Sequence, residues 1–239
     1  QEIVNYLFRV ENSNEFKNSL IISFSELIKS NPDTKIIYLY YFSSIIYHLA
    51  QYSDKMGFDP MSTISFTGQG AKVLRFIDSS SRLRLLSKLV TKIFKHVYQR
   101  DVSEINIQLL PNPKEITAKG LLFTSANIEA DHLIDVLISS KNQTLKSSDN
   151  ISYRQLDRGI LENIEKDVVD FNQMFFALHK DIDFNNTFGI NMTLEENYKD
   201  AVGKHILDYI IEVTDRYKND NNLVDAKVND TPFFYSIKQ

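Results

Sequence analysis

The stretch that decides the fold runs from Ser62 to Leu74 and reads Ser62-Thr63-Ile64-Ser65-Phe66-Thr67-Gly68-Gln69-Gly70-Ala71-Lys72-Val73-Leu74. Its first six residues are β-prone and follow Pro60, which predicts a strand over 62–67. The glycine pair that comes next predicts a tight turn, because glycine adopts the backbone conformations that other residues avoid. Helical spacing resumes from Lys72 to Ile77. A strand, a turn and a helix are therefore expected in direct succession.

A second strand is expected further along the chain. Helical spacing over 82–98 is carried by four apolar positions, Leu85, Leu89, Ile93 and Val97. Residues 104–109 then alternate polar and apolar side chains, which is typical of a strand. After Pro111 and Pro113 another helix is expected over 115–125. Strand, helix and strand in this order favour an α/β layer with parallel strands.

Two helices are predicted before this layer. Residues 15–30 have apolar side chains at helical spacing, and Asn31-Pro32 ends that segment. The second helix is predicted from Thr34 to Met56, with Gly57 as its stop. Its expected apolar side consists of Ile37, Tyr41, Ile45, His48 and Tyr52.

A polar stretch of small residues at 139–152 predicts a domain boundary. It separates an α/β unit over 1–138 from a helical extension over 151–239. One amphipathic helix of the extension contains Ile160, Ile164, Val168, Phe171, Phe175 and Leu178. A second helix is expected from Tyr198 to Tyr217, ending at the polar turn 219–222, and the apolar tail 231–237 is read as a strand.

The segment Ile64 to Leu74 and the later Leu110-Pro111-Asn112-Pro113-Lys114-Glu115-Ile116-Thr117-Ala118-Lys119-Gly120 form an ordered pair of motifs. Together they resemble the adenosine motif of the actin/Hsp70/sugar-kinase ATPase superfamily, and are most similar to bacterial actin-like proteins such as FtsA and MreB. In that superfamily a strand runs into a glycine-rich turn that packs on adenosine, and a later helix closes the same subdomain. The resemblance covers residues 60–125.

The resemblance implies a partial actin-like subdomain of ribonuclease H-like α/β fold, followed by the helical C-terminal extension. It implies ATP or ADP as ligand, with Mg²⁺ and the phosphates held mainly by parts outside this chain. The nucleotide-binding residues that it implies are Thr67, Gly68, Gln69, Gly70 and Ala71 in the adenosine turn, Lys72 beside the adenine, and Gly120 in the closing helix.

Two features depart from the family pattern. Gln69 stands where the family has glycine, and its side chain limits the backbone and crowds a nucleotide. The two phosphate loops, each an Asp-x-Gly after a strand, are missing, since Asp157-Arg158-Gly159 opens an amphipathic helix instead. The chain opens at Gln1 and its first methionine is Met56. We therefore expect a part of a longer protein, with the phosphate loops upstream, that does not hydrolyse ATP by itself and has no catalytic residues.

Composition limits the other classes of function. The formal charge of −4 gives no overall attraction to nucleic acid, and the absence of cysteine excludes disulfides and thiol chemistry. The five histidines show no metal-ligand spacing, so no metal site is expected. No apolar run is long enough for a membrane span. These features favour a soluble cytoplasmic protein.

Three alternatives remain open from the residues. The chain is a degenerate actin-like scaffold that binds no nucleotide and acts through protein contacts of residues 151–239, with a protein partner or self-association expected in either case. A basic face made of Arg82, Arg84, Lys88, Lys92 and Lys95 binds DNA or lipid, or is only a solvated helix face. In the third alternative, the Gly68-Gln69-Gly70 turn connects a strand to a helix and binds no ligand. Acidic residues at 162, 165, 167 and 170 predict a solvated face rather than paired catalytic carboxylates.

Overall fold

A computed structural model describes residues 31–67, 71, 73–110, 152–155, 157–190, 205, 208–209 and 211–220. In these ranges the protein is mostly helical and contains one two-stranded parallel sheet. The expected mixture of helices and parallel strands is confirmed at this level. The predicted helices at 15–30 and 115–125, the domain boundary after residue 138 and the tail strand at 231–237 lie outside the described residues.

The first described helix, α1 (Pro32–Lys55), begins and ends at residues that the sequence identifies. The Asn31 side chain accepts a hydrogen bond from the Thr34 N–H at 2.9 Å, and Pro32 occupies the first turn, where its missing N–H costs nothing. At the other end Gly57 has a φ of +72°, a left-handed conformation that glycine adopts without strain. The predicted stop of this helix is confirmed, and its start at Pro32 lies two residues before the predicted start at Thr34.

The buried side of α1 differs from the predicted one. The residues that it buries are Ile36, Leu39, Phe42, Ser43, Ile46, Tyr47, Ala50 and Ser53. Ile37 and Tyr41 are 66% and 53% exposed, so the predicted apolar side is wrong at these two positions. Because α1 carries apolar residues on adjacent sides, periodicity alone does not determine which side meets the rest of the protein.

The predicted strand, helix and strand unit is present. It comprises β1 (Thr63–Phe66), the short helix α2 (Leu74–Ile77), a 3₁₀ turn at Ser81–Leu83, α3 (Arg84–Tyr98) and β2 (Asn106–Leu109). β1 and β2 pair in parallel, from Thr63 opposite Asn106 to Phe66 opposite Leu109. Parallel pairing follows because α3 returns the chain to the end of the sheet where β1 started.

The two faces of the sheet differ in burial. Ile64, Phe66, Ile107 and Leu109 share the face that packs on the helices, where the rings of Phe42 and Phe66 are 5.7 Å apart. The opposite face is formed by Thr63, Ser65, Asn106 and Gln108, and all four are exposed. The alternation along each strand therefore produces one apolar and one polar face.

A buried carboxylate holds the start of α3. Asp78 is fully buried and accepts hydrogen bonds from the N–H groups of Ser80 at 2.8 Å and Leu86 at 2.9 Å. Between these points Arg82 and Leu83 have φ values of +62° and +51°. Such conformations are unfavourable for residues with a Cβ atom, and the surrounding hydrogen bonds maintain them. The Asp78 carboxylate also lies at the helix end that favours negative charge.

The C-terminal helices pack on α1 through aromatic rings. α4 (Arg158–Asp181) and α5 (Phe184–Phe188) follow one another, and Phe171, Phe175 and Leu178 of α4 are buried as their helical spacing predicts. The Tyr40 ring lies 5.0 Å from Phe171 and 5.1 Å from Phe175, centre to centre. One hydrophobic cluster thus joins α1, the sheet, α3 and α4. A further helical run at 211–218 ends at Asn219, as predicted.

Candidate functional site

The two sequence motifs begin side by side at one edge of the sheet. The Phe66 C=O, at the end of β1, accepts a hydrogen bond from the Leu110 N–H at 3.1 Å. The glycine-rich motif therefore leaves β1 where the Leu110-Pro111-Asn112-Pro113 motif leaves β2. In open α/β sheets, ligands bind outside the carboxyl ends of the strands, which is this edge.

Two of the seven predicted nucleotide-binding residues are described by the structure. Thr67 is exposed directly after β1, and Ala71 is half-buried before α2. Gly68, Gln69, Gly70, Lys72 and Gly120 lie outside the described residues. The predicted turn thus starts at the sheet edge and leads to helical backbone, while its ligand contacts remain predictions.

The Asp157-Arg158-Gly159 segment does not follow a strand. A 3₁₀ turn at Tyr153–Gln155 comes before it, and α4 begins at Arg158. This agrees with the prediction that the segment opens a helix.

An open groove runs along α3 beside β2. Its lining is mostly basic and polar, and consists of Ser80, Arg84, Leu85, Lys88, Thr91, Lys92, Lys95 and Glu104. Lys92 pairs with Asp181, and Lys95 pairs with Asp101 at 3.1 Å. No ion pair of Arg84 or Lys88 is found with another described residue. Since the groove lining contains no aromatic ring, it lacks the stacking surfaces that single-stranded nucleic acid requires.

A polar junction connects α1, α3 and α4. The Tyr47 hydroxyl donates a hydrogen bond of 2.5 Å to Asp170 Oδ2, and His96 Nε2 lies 3.2 Å from the same oxygen. Burial, followed by the hydrogen bond to Asp170, raises the pKa of Tyr47 well above its usual range. Tyr47 therefore stays protonated near neutral pH and acts as a hydrogen-bond donor, not as a general base.

Two basic groups near this junction are destabilised in their charged forms. Burial lowers the pKa of His48 to about 4, and the positive charge of Lys55 adds to this effect. Burial likewise lowers the pKa of Lys55. His48 is consequently neutral at pH 7.

The sequence did not identify the role of Asp170. The sequence pattern predicts that Asp170 lies on a solvated acidic face, yet its side chain is half-buried and bridges two other helices. Periodicity placed Asp170 next to the apolar side of α4 without revealing its neighbours, because its partners come from positions 47 and 96. A polar residue at the margin of an apolar side was the only available signal.

Among the described residues, no three histidine, aspartate or glutamate side chains come close enough together to hold a metal ion. The helices in these ranges include none with the length and apolar character required to cross a bilayer. Comparisons with protein-family models, curated proteins and solved structures find no match to this chain.

Proposed function

We propose that this chain supplies the adenosine side of an ATP- or ADP-binding cleft of the actin/Hsp70 type. The phosphates and Mg²⁺ are held mainly by parts outside it. The observation that carries the proposal is the hydrogen bond from Leu110 N–H to Phe66 C=O, which brings the start of both motifs to one sheet edge. The two motifs could otherwise lie at opposite ends of the sheet, where they could not share a ligand.

The local chemistry supports a flat, uncharged ligand group at this edge. No charged residue occurs from Pro60 to Ala71, so the segment around the turn does not favour an ionic group. Glycines at 68 and 70 leave backbone without side chains against which a purine ring can lie. The phosphate part of the ligand needs cations, and this segment contains no lysine or arginine.

Nucleotide binding would also affect the helical extension. α1 packs on the apolar face of the sheet through Phe42 and Phe66, and on α4 through Tyr40 and Phe171. A shift of β1 on closure of the cleft would reach α4 through this packed helix. Closure of two halves around a ligand commonly moves attached elements in this way.

Isothermal titration of the intact protein with ATP and Mg²⁺ tests the proposal. We expect saturable binding, competition by adenosine, and loss of at least about tenfold in affinity, about 1.4 kcal/mol, on Gly70→Val. Thr63→Val is the matched control, because Thr63 lies in β1 at the end of the strand that is away from the glycine-rich turn. Absence of binding at millimolar nucleotide would contradict the proposal.

A second candidate is a scaffold that has lost nucleotide binding and acts through protein contacts. The observation that favours it is Gln69, which stands where the resembling family has glycine. Gln69→Gly separates the two candidates. ATP binding that appears only in this variant supports the scaffold, whereas binding by the unmodified protein excludes it.

A further inference from the structure

The two strands of the sheet present different outer edges. Asn106 N–H donates to Ser62 C=O at 2.9 Å, and Leu110 N–H donates to Phe66 C=O at 3.1 Å. In a parallel ladder the backbone groups of alternate residues point to opposite sides. Thr63 and Ser65 of β1 therefore direct their N–H and C=O groups away from β2, while Ile105 and Ile107 direct theirs away from β1.

The outer edge of β2 is closed by α3. Thr91 Oγ1 accepts a hydrogen bond from the Ile105 N–H at 2.9 Å, and Ser87 Oγ accepts one from the Ile107 N–H at 3.0 Å. Two helix hydroxyls thus take the place of a neighbouring strand. Covering an edge with a helix is one of the ways in which proteins prevent further pairing.

The outer edge of β1 has no such cover within the described residues. The N–H and C=O groups of Thr63 and Ser65 have no hydrogen-bond partner there. Nor does β1 contain a lysine, a proline or an inward-pointing charge, which are the other devices that block an edge. Among the described residues, one edge of the sheet is therefore closed by a helix and the other is uncovered.

We propose that β1 is a docking edge and that its occupant is β1 of a second copy of this chain. The two strands pair antiparallel about a two-fold axis that passes beside Ser65. In a symmetric pair, each side chain lies opposite or close to the same residue of the second copy. A charged side chain in this strand would therefore meet a like charge. The segment from Pro60 to Ala71 is free of charge and avoids this repulsion.

This pairing satisfies the exposed backbone groups. Ser65 exchanges both of its hydrogen bonds with Ser65 of the second copy, and Thr63 pairs with Thr67 of that copy. On the other face Phe66 lies opposite Ile64 of the second copy, and both side chains are only half-buried in the single chain. The dimer thus covers apolar surface as well as the strand edge.

The expected dimer is weak. A strand of four residues on each side offers far less than the roughly 800 Å² per partner of a stable interface. We therefore expect a dissociation constant on the order of 100 µM, which requires measurement at high protein concentration.

Sedimentation equilibrium up to about 1 mM protein gives the first test. We expect concentration-dependent dimers for the unmodified chain and loss of at least about tenfold in association for Ser65→Lys and for Ser65→Glu, with recovery when the two variants are mixed. Gln108→Lys is the matched control, because Gln108 lies beside Ser65 on the same exposed face but in the closed strand. This control should associate like the unmodified chain.

Cysteine variants give an independent test, since the chain contains no cysteine. Paired Ser65 residues would have Cα atoms about 5.5 Å apart, within the range of a disulfide. We expect Ser65→Cys to form a linked dimer at least about tenfold faster than Gln108→Cys, because the latter pair lies two further strands apart.

Several outcomes would overturn the inference. The inference is wrong if the chain stays monomeric at the highest concentration. This holds both if the Ser65 N–H exchanges rapidly and if another segment of the same chain protects it from exchange. The inference is also wrong if Ser65→Cys and Gln108→Cys form disulfide-linked dimers at equal rates. These results do not bear on nucleotide binding, which the separate titration tests.

Discussion

At the residue scale, the junction of Tyr47, His96 and Asp170 gives three helices a common polar contact. The carboxylate of Asp170 accepts from the Tyr47 hydroxyl and lies beside His96 Nε2. Next to it, the Tyr47 ring packs on Phe171, with the ring centres 5.4 Å apart. A second polar contact joins α1 and α4, where the Tyr40 hydroxyl donates to Asn172 Oδ1 at 2.7 Å.

Tyr47→Phe should lower the free energy of unfolding by about 1–2 kcal/mol, because it removes the donor to a charged acceptor and keeps the ring. Urea unfolding at pH 7 measures the change. Tyr41→Phe is the control on the same helix, since Tyr41 is 53% exposed, and it should change stability by less than about 0.5 kcal/mol. Equal effects of the two substitutions would contradict the assigned role of Tyr47.

His48 makes the protein sensitive to acid. Its pKa is about 4 in the folded state, against an ordinary value of 6.5. The unfolded chain therefore binds a proton that the folded chain does not bind between these two pH values. The contribution of His48 to the free energy of unfolding is therefore fully present above pH 6.5 and is lost as the pH falls towards 4.

We expect His48 to contribute a loss of about 2–3 kcal/mol between pH 7 and pH 4, since each pKa unit corresponds to about 1.4 kcal/mol. In His48→Gln this part of the pH dependence should disappear. Urea midpoints at a series of pH values measure it, with His205→Gln as control because His205 is exposed. A variant with an unchanged pH profile would show that His48 is not the source.

At the element scale, α3 serves both the core and the sheet. Its apolar side is buried through Leu86, Leu89 and Ile93, while Ser87 and Thr91 close the edge of β2. The Thr91 hydroxyl also donates to the Ser87 C=O at 2.8 Å, so this hydroxyl acts both as a donor and as an acceptor. A two-stranded sheet is marginal alone, and this helix makes it stable.

The double substitution of Ser87→Ala and Thr91→Val should cost about 2–4 kcal/mol, because it leaves one N–H group just before β2 and one within it without acceptors. Amide hydrogen exchange should accelerate most at Ile107, whose N–H bond is buried. Ser44→Ala is the control, since the Ser44 hydroxyl donates only to the Tyr41 C=O of its own helix. Unchanged exchange at Ile107 would show that the hydroxyls do not hold the edge.

At the scale of the whole molecule, one apolar cluster extends from the sheet to α5. Phe175 is 1% exposed, and its ring lies 5.1 Å from Tyr40 and 5.6 Å from Phe184. Residues from both sides of the predicted domain boundary therefore share one core. The stability of the β1, α3 and β2 unit should depend on α4.

Phe175→Ala should lower the free energy of unfolding by about 3–5 kcal/mol, as expected for an aromatic side chain removed from a packed core. Helix circular dichroism and exchange at Ile107 should report the same transition. Phe58→Ala is the control, because Phe58 is 55% exposed. Separate transitions for α4 and the sheet would contradict a shared core.

Local patterns in the sequence determined the positions of the elements. The bounds of α1, the two strands, α3 and α4 follow from apolar period, from Asn31-Pro32 and from Gly57, since these features act within a few residues of the chain. The sequence also predicted parallel pairing, because strand, helix and strand allow few other arrangements. It likewise supplied the resemblance on which the proposed nucleotide site depends.

Tertiary structure alone decided which sides of these elements meet. It exposed Ile37 and Tyr41 and buried Ile36 and Leu39, although all four are apolar residues of one helix. It brought Asp170 to Tyr47 and His96, and it closed the outer edge of β2 with hydroxyl groups of α3. The physical reason is that these contacts join residues far apart in the chain, so their free energy depends on packing that no local pattern contains.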